Sequence, residues 1–194
     1  MNKKYLSHLS IATWNIHGIK SRELNKLDDT TFINEIRKHH IVALQETHCT
    51  PDSFIHVDGY HTFQVNRPLS GNKAHGGLAF LVKNELRRGI QLIGGSTCDT
   101  LWLCMKKDFF KTTKDIYLGT VYISPVNSTY TQKLDYNMFD IIEGELCKYM
   151  SEGQVILMGD FNSRTGTSAD YIVNDNVTHV QMPSLYIPDT DVLP

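Results

Sequence analysis

The spacing of apolar residues switches between two periods along the chain, and the switches mark its elements. Residues 9–14 read as a short strand. Residues 30–39 read as a helix with Phe32, Ile33 and Ile36 on one face and Asn34, Glu35, Arg37 and Lys38 elsewhere. Residues 41–45 are nearly all apolar, as a strand buried on both faces requires. Strand character returns at 60–65, at 78–83 behind Gly76-Gly77, at 90–93, at 101–106, and most clearly at 115–124, where Pro125 stops it. Residues 130–150 carry Leu134, Met138, Ile141, Ile142, Leu146 and Tyr149 at helical spacing, so one long helix is expected there. A last buried strand is expected at 155–158. Beyond Ser163 the periodicity stops, and 163–194 reads as a long loop or irregular tail.

Composition bounds what such a chain can be. Apolar residues make up 41% and charged residues 21% of the 194 positions, ordinary for a globular domain with a sizeable core. The net charge of −2 lacks the basic excess common in nucleic-acid binders. Contact with a polyanion must then rest on local patches or on a bound cation. Four cysteines form no C-x-x-C pair and no zinc spacing, which favours reduced thiols in a cytoplasmic or nuclear setting. Neither a signal peptide nor a membrane span is readable.

Three of the expected strands run into polar residues. The first leads into Asn15-Ile16-His17-Gly18, the second into Gln45-Glu46-Thr47-His48, and the third into Gly159-Asp160-Phe161-Asn162. In open α/β sheets, sites assemble at the carboxyl ends of strands. Two carboxylates, Glu46 and Asp160, and two carboxamides, Asn15 and Asn162, form a hard oxygen set suited to magnesium or manganese. Each string alone fits an ordinary solvated loop, and the order of all three carries the site reading. His48, His56, His61 and His75 show no partner spacing and receive no role.

W-N-I-H-G, Q-E-T, the strand ending Tyr122-Ile123-Ser124-Pro125, and G-D-F-N together resemble the endonuclease/exonuclease/phosphatase superfamily. Gly76-Gly77-Leu78-Ala79 and G-D-F-N-S-R-T-G are most similar to its LINE-type retrotransposon branch, to which craniofacial development protein 2-like sequences belong. The resemblance implies a DNase I-like α/β fold, a four-layer α-β-β-α sandwich spanning 9–194. It implies Mg2+ or Mn2+ at Glu46, with Asn15 beside it on the ion or its water. Tyr122 would donate to the scissile phosphate, Asp160 would orient or deprotonate water, and Asn162 would place that water. Lys20, Arg22 and Arg164 are candidate phosphate contacts.

The implied activity is Mg-dependent phosphodiester hydrolysis on DNA. A phosphatase or phospholipid phosphodiesterase shares the same residues, and a non-catalytic remnant is the third reading. Two departures stand out. Position 17 is His where abasic-site endonucleases usually carry Asp. The family's terminal S-D-H-x-P has no counterpart, which implies a domain incomplete at its C-terminus, an impaired activity and an open question of whether the chain is an enzyme. If folded, it is expected to be a monomer without membrane contact.

Overall fold

The computed structural model describes residues 8–22 and 24–163. The tail expected from Ser163 onward lies outside the described residues except for Ser163 itself, and Arg164 lies outside them as well.

Among the described residues, eight strands form two sheets of four. The first contains β1 (Ile11–Asn15), β2 (Ile41–Gln45), β3 (Tyr60–Val65) and β4 (Leu78–Lys83), in the order β1-β2-β4-β3. The second contains β5 (Ile90–Leu92), β6 (Thr100–Met105), β7 (Ile116–Tyr122) and β8 (Gln154–Asp160), in sequential order. In the first sheet β1 and β2 are parallel, joined through helix α1 (Thr30–Arg37). In the second, β7 and β8 are parallel, and the chain between them forms α3 (Met138–Glu152); a short helix, α2 (Lys107–Phe110), precedes β7. The remaining pairs are antiparallel. The last residues in register are Asn15 with Gln45 and Tyr122 with Asp160, so both parallel pairs end on chemistry-bearing side chains.

Strand alternation sorts the apolar residues into layers. Ile41, Ala43, Phe80 and Val82 meet Leu101, Leu103, Met105 and Leu118 between the sheets. The opposite faces of β2 and β4, with Val42, Leu44, Ala79 and Leu81, bury Phe32 and Ile36 of α1. Trp102 and Cys104 face away from the inter-sheet core and pack with Tyr117 and Tyr149. Val121 and Ile123 receive Met138 and Ile142 of α3. The result is the expected four layers, helix, sheet, sheet and helix.

Local chemistry sets the helix limits. Asp29 caps α1 by accepting from Thr31 N–H at 2.8 Å, and Asn137 caps α3 by accepting from Phe139 N–H at 2.9 Å. The helix expected from residue 130 therefore starts at Met138. The preceding segment holds only a 3-10 turn at Thr131–Lys133. Its Tyr130 hydroxyl donates to the buried Asp99 carboxylate at 2.9 Å, and Thr131 N–H is taken by Ser128 Oγ at 3.0 Å. These tertiary and turn contacts override the helical spacing of the leucines.

All four cysteines are free, and Cys147 is exposed. No helix among the described residues is long and apolar enough to cross a membrane. On the outer face of β1, Ala12, Trp14, Ile36 and Val42 line a pocket of about 300 Å³, and Trp14 is 41% exposed.

Glu145 fastens α3 to the second sheet. It is buried and accepts from Trp102 Nε1 at 2.7 Å, Thr100 Oγ1 at 3.0 Å and Ser96 N–H at 2.5 Å. Removing the carboxylate strands three donors, two of them in the interior. Glu145→Ala is expected to cost about 3 kcal/mol in a chemical denaturation experiment, and Glu145→Gln clearly less because it keeps one acceptor.

Candidate active site at four strand ends

The loops that follow β1 and β2 are laced together by their backbones. Ile16, Gly18 and Ile19 N–H donate to the carbonyls of Gln45, Glu46 and Thr47 at 3.0, 2.6 and 2.9 Å. Lys26 holds the same loop from behind, its Nζ donating to the carbonyls of Ile16 and Gly18. On the far side, Thr47 and His48 N–H donate to Gly77 and Gly76 at 3.2 and 2.9 Å. This contact explains the double glycine. Both residues have positive φ, 62° and 87°, and a Cβ on either would sit 2.6 Å from Arg67 or 2.5 Å from Thr47 Oγ1.

Four strand ends then present their side chains to one space. Asn15 leaves β1, Glu46 follows β2, Tyr122 ends β7 and Asp160 ends β8. Asn15 Nδ2 donates to Glu46 Oε1 at 2.7 Å and to Asp160 Oδ2 at 2.6 Å. Its Oδ1 accepts from His17 N–H at 3.1 Å. The reverse amide orientation would aim an oxygen at two carboxylates, so the network fixes the assignment. Asn15 thus bridges the two acids as a donor, with its oxygen engaged by the backbone.

Asp160 also accepts from Asn162 N–H at 2.9 Å, and Asn162 Nδ2 donates to Ile123 O at 2.7 Å. Below the acids, Gln45 is buried and its Nε2 donates to Thr120 Oγ1 at 2.7 Å and Thr13 Oγ1 at 3.0 Å, tying one sheet to the other.

Electrostatics follow from this packing. Burial pushes the Glu46 carboxyl up, but hydrogen bonds from Asn15, His48 and Tyr122 outweigh it and hold the group below the usual carboxylate range. The Tyr122 phenol is pushed up to about 12, first by burial and then by the Glu46 charge, so it stays a hydrogen-bond donor at neutral pH. Burial lowers the His48 imidazole despite the neighbouring Glu46.

Backbone strain marks the same residues. Five non-glycine residues have positive φ among the described residues, and four of them are His17 (47°), Glu46 (53°), His48 (51°) and Asn162 (44°). Such conformations cost of order 1–3 kcal/mol each and persist where surrounding structure enforces them.

The structure brings together Asn15, Glu46, Tyr122, Asp160 and Asn162. Lys20 and Arg22 are exposed on the turn after the β1 loop. Two further participants carried no legible signal. His48 Nε2 lies 3.1 Å from Glu46 Oε2, its role set by the fold of the loop and not by any spacing to another ligand. Arg67 is 3% exposed and pairs with the buried Asp99; its guanidinium stacks 3.8 Å from the Tyr130 ring and 5.0 Å from the Tyr122 ring. Nothing around Asn66-Arg67-Pro68 announces a buried cation.

The sequence model of the endonuclease/exonuclease/phosphatase family matches residues 12–180. The chain belongs to this family. Solved structures agree on the fold. An endonuclease/exonuclease/phosphatase family protein from Leptotrichia buccalis superposes with a TM-score of 0.57 at 15% identity, over 83% of this chain and 70% of that one. The human Nocturnin catalytic domain gives 0.53 at 16%, over 81% and 65%. An AP endonuclease from Archaeoglobus fulgidus gives 0.52 at 19%, over 79% and 57%. The chain thus spans less than two thirds of the length of the latter two family folds. No curated protein sequence matches it.

Variants at two residues test this geometry. Arg67→Ala leaves the buried Asp99 carboxylate without its cation, and is expected to cost about 3–5 kcal/mol in a urea titration. Asn15→Asp places a third carboxylate between two others and should lower the melting temperature more than Asn15→Ala does, in metal-free buffer.

Proposed function

We propose that this chain is a divalent-metal-dependent phosphodiesterase domain acting on DNA, of the LINE-type retrotransposon branch of its family. The observation that carries the reading is the Asn15 bridge, which joins Glu46 from one sheet to Asp160 from the other at hydrogen-bond distance. The branch assignment is supported by Gly76-Gly77-Leu78-Ala79 and by the G-D-F-N-S-R-T-G run.

The donor set suits a cation. Glu46 is a mostly buried carboxylate kept ionised by three hydrogen bonds, with its Oε2 turned away from Asn15. A divalent cation held there would neutralise charge on the phosphate and on the leaving oxygen. The other roles belong to side chains. Asp160, oriented by Asn15 and by Asn162 N–H, positions a water and takes its proton as the water oxygen bonds to phosphorus. The bond from phosphorus to the leaving oxygen breaks, and that oxygen takes its proton from solvent. Tyr122 donates to a phosphate oxygen. Asn162, with its amino group tied to Ile123 O, would place the water through its Oδ1. Lys20 and Arg22 supply exposed positive charge for flanking phosphates.

The deciding experiment is nicking of supercoiled plasmid with magnesium, manganese or zinc in separate reactions, with phosphoinositide hydrolysis measured in parallel. Nicking by the chain and its loss in Asp160→Ala is the expected result. Hydrolysis of phosphoinositides alone would overturn the DNA substrate. No hydrolysis of either by folded protein would make the chain a non-catalytic remnant.

A further inference from the structure

The two oxygens of Glu46 face different chemistry. Oε1 accepts from Asn15, while Oε2 faces two imidazoles, His48 Nε2 at 3.1 Å and His17 Nδ1 at 3.5 Å. These three ligand atoms all lie within 4.8 Å of one another. Metal–ligand bonds of about 2.0–2.1 Å in a tetrahedral site separate neighbouring ligand atoms by about 3.3 Å, the spacing seen on both sides of Oε2. All three residues have left-handed backbone, at φ 47°, 53° and 51°, so three strained positions aim their side chains at one point.

An oxygen-only set would suit magnesium. Two imidazoles beside one carboxylate suit a borderline transition ion, and magnesium gains little from nitrogen donors. Three protein ligands also leave positions open for water and a phosphate oxygen, as a hydrolytic site requires. We infer that this site takes a transition metal of the zinc class, held by His17 Nδ1, Glu46 Oε2 and His48 Nε2, in place of an oxygen-coordinated magnesium ion. The inference rests on the reading of Glu46 as the metal residue of a phosphodiesterase and names the ion class. His17 thereby fills, with nitrogen, the position where abasic-site endonucleases usually carry an aspartate. His75, its ring 6.1 Å from that of His48, stands at the rim outside the ligand set.

The test is titration of the tag-free full chain with Co2+, followed by absorbance in the visible, with Zn2+ and Mg2+ as competitors. Expected are one saturable site with the d–d bands of four- or five-coordination, displacement by Zn2+, and no displacement by excess Mg2+. His48→Gln and His17→Gln should each weaken Co2+ binding by about tenfold or more. The side chain of His17 is 86% exposed, so His17→Gln will not unfold the chain. His56→Gln, at an exposed histidine paired with Asp58, should leave binding unchanged. Absence of the bands, their persistence in the double variant H17Q/H48Q, or equal competition by Mg2+ would overturn the inference.

Plasmid nicking separates the two claims. Nicking in magnesium with no histidine-dependent Co2+ site overturns the metal assignment alone. A histidine-dependent site with no hydrolysis overturns the phosphodiesterase reading alone.

Discussion

Two carboxylates on separate sheets repel, and a single carboxamide holds them together. Asn15 donates from one amino group to Glu46 and to Asp160, and its oxygen is anchored by the next turn of its own loop. The rest of the arrangement serves that bridge. The parallel pairs β1/β2 and β7/β8 end at the same place because each has its register closed by a site residue or its neighbour. Gln45 and the threonines beneath it fix the spacing of the two sheets just below the acids.

A second buried polar unit supports the opposite wall. Arg67 and Asp99 form an ion pair in the interior, with Tyr130 and Tyr122 stacked on the guanidinium. One Arg67 nitrogen, Nη2, has no hydrogen-bond acceptor among the described residues, and the aromatic faces stand in for one. A buried pair of this kind adds little net stability, but it sets the place of everything that touches it. Tyr122 is the side chain that touches both this pair and Glu46.

The fold was largely legible because period-2 and period-3.6 patterns are local. Ile41-Val42-Ala43-Leu44 could be little else than a strand buried on both faces, and Phe32 with Ile36 required a partner sheet. The start of α3 was not legible, because Tyr130 is drawn off by Asp99, thirty-one residues away in sequence. The oxygen donors at strand ends could be read because each closes its own strand. His48 could not, since its role depends on a left-handed turn after Glu46 and on the glycine loop that pins it. Arg67 depends on Asp99 and Gly76, which no periodicity links to it. Chemistry built within one strand end is visible in sequence; chemistry built between loops is not.

The Asn15–Asp160 bond closes over 145 residues of sequence. Such a contact forms only after the intervening chain has been made and ordered, since loop-closure entropy must be met before the bond can return anything. While the chain emerges from the ribosome, Asn15, Glu46 and the histidines are present early, but their acidic partner on β8 is not. With that wiring, the candidate site is incomplete in every partial chain that lacks β8. It is assembled in one late step, when β8 pairs with β7.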